Sequence, residues 1–401
     1  MKLDDSPCHL TYCSNIHPGE SWEEVRHNLG LHLPAVRAQL SPDRPFGIGL
    51  RLSAVAARTL AQPDTLAEFK HFLEKGNFYV FTLNGFPYGK FHGARVKEQV
   101  YRPDWQDPER LQYTNLLADL LAELLPLQPG LSGSISTVPG AFKADVRDTA
   151  ALQRITQQLV QHTSHLVQLK AQTGKHIALA LEPEPCCLLE TIAETVTFFR
   201  EYLFAAPAIQ QLAELSGLDS IQAEQALRDH LGVCLDLCHA AVEFEDPDTC
   251  THTLTAAGIG IFKMQITAGL QLPTLSSMAL ARLQQFDDGV YLHQVVESGP
   301  GGLLRYVDLP EALQTCTGDT QTEREWRVHF HVPVFHDDLG AFRSTQAFVR
   351  SVLQTHRQQP VSLHLEVETY TWEMLPPALQ AGDLDQAIAR ELRWVRDELA
   401  Q

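Results

Sequence analysis

The chain has 401 residues, of which 44% are hydrophobic and 20% charged; that mix excludes a disordered chain and leaves ample material for a buried core. Thirty-one Lys+Arg against 49 Asp+Glu give a formal net charge of −18, which argues against charge-driven binding of nucleic acid or an anionic membrane. No apolar run approaches the ~18 residues of a membrane helix, and Met1-Lys2-Leu3-Asp4-Asp5 lacks a basic-then-apolar signal region, so a cytoplasmic location is expected.

Strand-like and helix-like segments alternate along the chain. The first strand is expected at 8–16, followed by a helix opening at Ser21 with Glu24 at the capping-box spacing. The second strand is expected at 46–52, followed by a helix with Asp64 as its N-cap and Gly76 as its C′ glycine, and the third strand at 78–84. Asp107-Pro108 opens the next helix, and the fourth strand is expected at 131–137. A long helix then runs from about Asp148 to Lys170 and is ended by Gly174. The fifth strand falls at 176–182, with helical sequence following to about 231. The sixth falls at 233–237, the seventh at 261–267, and the eighth at 362–369, with a last helix at 383–399. Eight strands alternating with helices predict parallel βα units and the count that closes a (β/α)8 TIM barrel. The period breaks over 268–336, where short extra strands at 291–296, 303–307 and 327–332 predict an inserted β-hairpin region. No linker divides the chain, so a single domain over 1–401 is expected.

The strand faces support a barrel. In the fifth strand Leu179 and Leu181 oppose Ala180 and Glu182; in the sixth Leu235 opposes Cys234 and Asp236; in the eighth Leu365 and Val367 oppose His364, Glu366 and Glu368. An open sheet covered on both faces needs apolar residues on both, whereas a barrel interior tolerates polar groups near its catalytic end. The polar residues come late in their strands, where barrel active sites are built.

Glu182, Asp236 and Glu368 come from three different strands. A lone strand-end carboxylate is usually a cap or salt-bridge partner, but three at equivalent places suit a divalent metal, Mn, Mg or Zn. His329 and His331 alternate with a Phe and share one strand face. His331 is a candidate ligand, and His17, Asn84, His92 and His239 are candidate substrate-binding residues. The bland readings stand beside these: His239 as a helix cap, Asn84-Gly85 as a turn, the Lys90, Arg95 and Lys97 run as a solvated loop. Eight cysteines without a C-x-x-C pair predict buried free thiols, and Cys186-Cys187 lacks a paired base for a nucleophile.

Leu181-Glu182-Pro183, Asp236-x-x-His239 and Glu368-Thr369 resemble the xylose-isomerase-like barrel superfamily of sugar isomerases, keto-sugar 3-epimerases and phosphodiesterases of the endonuclease IV type. The resemblance implies that Glu182, Asp236 and Glu368 bind metal and that the two Glu exchange protons with substrate. It also implies that His239 binds substrate or, as in other branches, a second metal. Where epimerases carry a strand-seven His ligand, this chain has Gln265, whose amide oxygen is a weaker ligand. Either Gln265 serves, or His331 substitutes, or the site has lost its metal. Three longer motifs, Tyr12-Cys-Ser-Asn-Ile-His-Pro-Gly-Glu-Ser-Trp22, Asn84-Gly-Phe-Pro-Tyr-Gly-Lys-Phe-His92 and His364-Leu-Glu-Val-Glu-Thr-Tyr-Thr-Trp372, resemble the Ebo-type metabolite traffic (EboE) family. That implies secondary-metabolite handling and a membrane protein partner from the same gene cluster. The expected function is a metal-dependent isomerase or epimerase acting on a sugar-like or polyol-like metabolite. The alternatives are a non-catalytic metabolite carrier and a metal-dependent phosphodiesterase.

Overall fold

The computed structural model describes residues 1–4, 6–93, 95–316, 323–377, 379–380 and 382–400. Seven strands come first: β1 (His9–Tyr12), β2 (Phe46–Arg51), β3 (Phe78–Asn84), β4 (Gly133–Thr137), β5 (Ile177–Leu181), β6 (Leu231–Asp236) and β7 (Gly260–Ile266). The chain then forms β8 (Ala268–Leu272), β9 (Val295–Gly299), β10 (Gly302–Tyr306), β11 (Glu325–Val332) and β12 (Arg343–Ser344) before returning as β13 (His364–Val367). The parallel sheet has the order β1-β13-β7-β6-β5-β4-β3-β2, which is chain order wrapped into a ring. Helices alternate with these strands, giving the expected (β/α)8 barrel.

The ring closes where β1 meets β2. A parallel bridge joins Cys13 to Gly49. Thr11 Oγ1 donates to Gly47 O at 2.8 Å and accepts from Gly49 N at 3.2 Å, and Arg51 N donates to Ser14 Oγ at 2.8 Å. This seam leaves no room at residue 49. A Cβ there would lie 2.7 Å from Tyr12 O and 1.9 Å from Glu366 Oε2. Gly49→Ala is therefore expected to cost at least the ~1–3 kcal/mol of an overpacked core, read as a lower urea midpoint. An unchanged midpoint would mean that the seam gives way freely.

Contacts that cross the ring identify its inner face. Lys263 of β7 reaches Ser136 of β4 (Nζ–Oγ 3.2 Å), and His364 of β13 reaches Ser134 of β4 (Nδ1–Oγ 2.8 Å). Lys263 Nζ also lies 2.6 Å from Glu366 Oε1, with both side chains wholly buried. The alternate residues Leu179, Leu181, Leu235, Met264, Leu365 and Val367 are buried in the apolar core. The polar interior read from the strand alternation is thus a cross-linked layer within the barrel.

Local signals set most helix ends. Ser21 and Glu24 form the capping box of the helix Trp22–Leu40, Asp107 caps Pro108–Leu124, and Thr149–Thr173 runs from the Asp148 cap to left-handed Gly174. Two readings are corrected. The helix Pro63–Gly76 starts from Gln62 and ends at left-handed Asn77 (φ 54°). Pro63 pre-sets its first turn and Asn tolerates the αL conformation, so Asp64 and Gly76 lie inside it. The stretch before β6 is divided, with helices Ile192–Phe198, Ala206–Ser216 and Ser220–His230. Pro207 opens the second of these and Gly217 ends it.

The residues between β7 and β13 form a second, antiparallel sheet of order β10-β9-β11-β8-β12. It includes the expected hairpin, in which Gly299 pairs with Gly302 across a tight turn. It also recruits β8 and β12, so it extends beyond 336. No helix among the described residues is long and apolar enough to cross a membrane.

Candidate metal centre and pocket

The three strand-end carboxylates converge. Glu182 follows β5, Asp236 ends β6 and Glu368 follows β13, and one carboxylate oxygen from each lies within 4.8 Å of the others. All three side chains are buried. Asp236 Oδ1 caps the helix Leu237–Val242, accepting from the backbone N–H of Cys238 (2.7 Å) and His239 (3.0 Å). Its Oδ2 has no partner, and neither has Glu182 Oε2. Glu368 Oε1 accepts from the amides of Asn15 and Asn84, each at 2.7 Å. Buried carboxylate oxygens without donors are costly unless a cation or a proton meets them.

The electrostatics agree. Burial, then the charges of Glu368 and Asp236, push the Glu182 carboxyl well above its ordinary range. Burial, then Asp236 and Glu366, push Glu368 up to about 8. Burial raises Asp236 as well, offset by His331 and by its two backbone donors. The set titrates as a unit, and a bound divalent cation would replace the protons it holds.

Imidazoles border the carboxylates. His239 Nδ1 donates to Pro183 O (3.0 Å), His331 Nδ1 to Glu368 O (2.5 Å) and His329 Nδ1 to Gln294 Oε1 (2.7 Å). Burial holds all three below the ordinary imidazole range, His239 to about 3 and His331 to about 4. Glu182, Glu368, Asn84, His239, His329 and His331 all line one pocket with about 60 Å³ of water-accessible space. Aromatic residues wall it, among them Phe86, Phe91, Tyr101, Tyr291 and Tyr370.

The remaining predicted residues lie outside that lining. His17 is buried behind β1, stacked on His32 with ring centroids 4.0 Å apart and 3.2 Å from the Tyr12 hydroxyl. His92 is committed at both nitrogens, to Asn15 O at 2.6 Å and Tyr291 OH at 2.9 Å, and so braces the residue that holds Glu368. Gln265 lies in the barrel interior beside Asp236 and Glu366, where its Oε1 accepts the Cys234 thiol at 3.2 Å. Lys97 is paired with Asp308 at 2.5 Å rather than free in a loop. All eight cysteines are free thiols.

Two site residues were not singled out from the sequence. Asn15 is the second amide on Glu368; its signal was its place in the motif after β1. Glu184 accepts from Tyr101 OH (2.8 Å) and Gln294 Nε2 (3.1 Å), and burial raises it to about 7. The only signal for it was its place two residues beyond Glu182.

Opposed pH slopes follow. Glu368 binds a proton in the folded state that the unfolded chain releases near 4.5, so metal-free stability is lost as pH rises towards 8. Buried His162 and His364 are held to about 3, and His230 and His356 to about 4. Their contribution is present above the ordinary His value and is lost as pH falls through the acid range. The melting temperature of chelated protein is therefore expected to peak between these arms, at roughly pH 6. A divalent ion should flatten only the alkaline arm. A metal-free profile flat from pH 6 to 9 would refute the raised carboxylates.

No protein-family model matches the chain, and no curated protein matches its sequence. Solved structures do match. L-ribulose 3-epimerase is 13% identical, with a TM-score of 0.47 over 98% of this chain and 94% of that one. The IOLI protein with a binding zinc atom is 11% identical, with a TM-score of 0.47 over 98% and 97%. A xylose isomerase-like TIM barrel protein from Mycobacterium smegmatis, in complex with magnesium, is 10% identical with a TM-score of 0.52. That alignment covers 98% of this chain and 96% of the other. At that level the likeness is one of fold, and the fold shared is the (β/α)8 barrel.

Proposed function

We propose that the chain is a divalent-metal-dependent isomerase or epimerase acting on a sugar-like or polyol-like metabolite. One observation carries this reading: Glu182, Asp236 and Glu368 converge at the barrel's C-terminal end with Glu182 Oε2 and Asp236 Oδ2 unpartnered. That donor set fits a hard cation of the Mg²⁺ or Mn²⁺ type. Glu182, Asp236 and Glu368 would hold the ion; Gln265 would join only by giving up its bond to Cys234. When bound, such an ion polarises a substrate carbonyl.

The chain's own groups supply the rest. Glu182 and Glu368 come from strands on different sides of the ring, so one can take a proton from the carbon beside the carbonyl while the other returns one. Their raised pKa values suit proton transfer near neutral pH. Asn15 and Asn84 fix Glu368 Oε1, which leaves Oε2 to meet the proton. The aromatic wall gives the pocket a largely apolar surround. Among the described residues Lys97 is the only Lys or Arg lining the pocket, and it is paired with Asp308, which weighs against a phosphodiester substrate.

The link to secondary-metabolite handling, and to a membrane partner, rests on the three long motifs. Their convergence supports treating them as one unit: Asn15 and Asn84 both donate to Glu368 Oε1, and His92 braces Asn15.

The test is solvent exchange. Protein loaded with Mn²⁺ is incubated in deuterated buffer with a panel of ketopentoses, ketohexoses and inositol ketones. Deuterium is expected at the carbon beside the carbonyl and should vanish on chelation. Failure to bind Mn²⁺, Mg²⁺ or Zn²⁺ would sink the reading and leave a metabolite-binding barrel.

A further inference from the structure

We infer that Asn15 reads a substrate hydroxyl: its Oδ1 accepts a hydrogen bond from the hydroxyl on the carbon whose proton Glu368 moves. This rests on the isomerase reading and narrows its substrates to polyols that carry a hydroxyl beside the carbonyl.

Two amides serve one carboxylate oxygen, and they are not equivalent. Asn15 Nδ2 and Asn84 Nδ2 both donate to Glu368 Oε1 at 2.7 Å. Asn84 Oδ1 accepts from the backbone N–H of Phe86 at 3.1 Å, so both ends of that amide are spent within the protein. Asn15 Oδ1 has no partner. Asn15 is 2% exposed, and it lines the pocket together with Glu368 and Tyr370. An amide oxygen cut off from water without a donor is costly. A ligand hydroxyl in the pocket would supply that donor.

The amide is not free to turn towards another partner. An ionised Glu368 offers only lone pairs, so the Nδ2 end must face it. Oδ1 is then fixed on the other side of the same planar group. The backbone is held as well. Asn15 sits in the short 3-10 turn Ser14–Ile16 that follows β1. Next to it, Ser14 Oγ accepts from Arg51 N at 2.8 Å. His92 Nε2 lies 2.6 Å from Asn15 O, which can only accept, so Nε2 carries the imidazole proton. His92 Nδ1 therefore accepts from Tyr291 OH, at 2.9 Å. Pocket wall, imidazole, turn and carboxylate form one hydrogen-bonded chain through Tyr291, His92, Asn15 and Glu368. An idle acceptor held this firmly is preorganised for a hydroxyl, and one hydrogen bond separates its amide from the group that takes the proton.

The experiment takes each ketose or inositol ketone of the panel with its counterpart lacking the hydroxyl on the exchanging carbon. It measures kcat/KM for deuterium exchange and calorimetric affinity for the Mn²⁺-loaded protein, in wild type, Asn15→Ala and Asn84→Ala. Both variants lose a donor to Glu368 Oε1, so their pH profiles should shift upward alike. Only Asn15→Ala should lose selectivity. Its preference for the hydroxylated member is expected to fall by about 10–100-fold, the range for one partner of a buried hydrogen bond left unpaired. Asn84→Ala should keep that preference. Asn15→Ser, too short to reach the hydroxyl, should show the same loss and serves if the alanine variant does not fold. Unchanged selectivity in folded Asn15 variants would overturn the inference, Oδ1 then serving bound water only. An equal loss in Asn84→Ala would also overturn it, because the effect would then pass through Glu368. Exchange absent throughout, with Asn15-dependent selectivity kept in the affinities, would sink the isomerase reading and leave the hydroxyl contact standing. A panel that neither exchanges nor binds would overturn both.

Discussion

Glu368→Gln is expected to reduce deuterium exchange at the substrate carbon by about 10²–10⁴-fold, the range for losing a general acid–base group. Geometry makes this a clean substitution. Gln keeps an oxygen for the Asn15 and Asn84 amides, which both reach Glu368 Oε1 at 2.7 Å, and replaces only the other oxygen. The variant loses a negative charge from a buried cluster of three, so its Mn²⁺ affinity should fall as well. Stability should move the other way. Wild-type Glu368 is pushed to about 8 by burial and by the charges of Asp236 and Glu366. Removing its charge should therefore raise the melting temperature of the metal-free protein at pH 8 and change it little at pH 5. Activity lost with alkaline stability gained is the pattern of a strained catalytic group. Exchange within tenfold of wild type would mean that Glu368 does not move protons. Asn84→Ala should show a smaller loss, with the pH profile shifted upward, because the amide stabilises the charged form.

The sequence carried the barrel because its signal is periodic: bulky residues alternate with polar ones in β5, β6 and β13, and caps such as Ser21, Asp107 and Asp148 mark the helices. It carried Glu182, Asp236 and Glu368 because a carboxylate late in a buried strand has few ordinary explanations. What it did not carry depends on distant pairing. His17 and His92 follow strands in the chain, yet His17 is turned onto His32, and His92 is taken up by Asn15 and Tyr291. β8 was missed because Ala268-Gly-Leu-Gln-Leu272 has weak alternation and follows β7 almost directly. The gathering of His329 and His331 against His239 was illegible for the same reason. It requires β11 to pair with β8 and β9, a register no local pattern states. Glu366 was visible as a polar residue on an inward face, but its partnership with Lys263 appears only when β7 and β13 lie side by side.

That pair yields the second large effect. Lys263→Met is expected to destabilise the protein by about 3–5 kcal/mol, as for a buried ion pair broken on one side. Lys263 and Glu366 are wholly buried at 2.6 Å, and Lys263 Nζ also reaches Ser136 Oγ across the barrel. Burial alone would lower the lysine's pKa, but Glu366 and the surrounding acidic groups hold it above its ordinary range. Without the ammonium, the buried Glu366 carboxylate, beside Glu368 and Cys13 and close to Gly49 at the closing seam, is left with no counter-charge. The double variant Lys263→Met with Glu366→Leu should recover much of the lost stability, because replacing both charges removes the desolvation cost that the pair offsets. Urea unfolding of the four proteins of the cycle measures the coupling directly. A single-variant cost below about 1 kcal/mol would mean that water reaches the barrel floor. The layer beneath the three carboxylates would then be solvent rather than a fixed counter-charge.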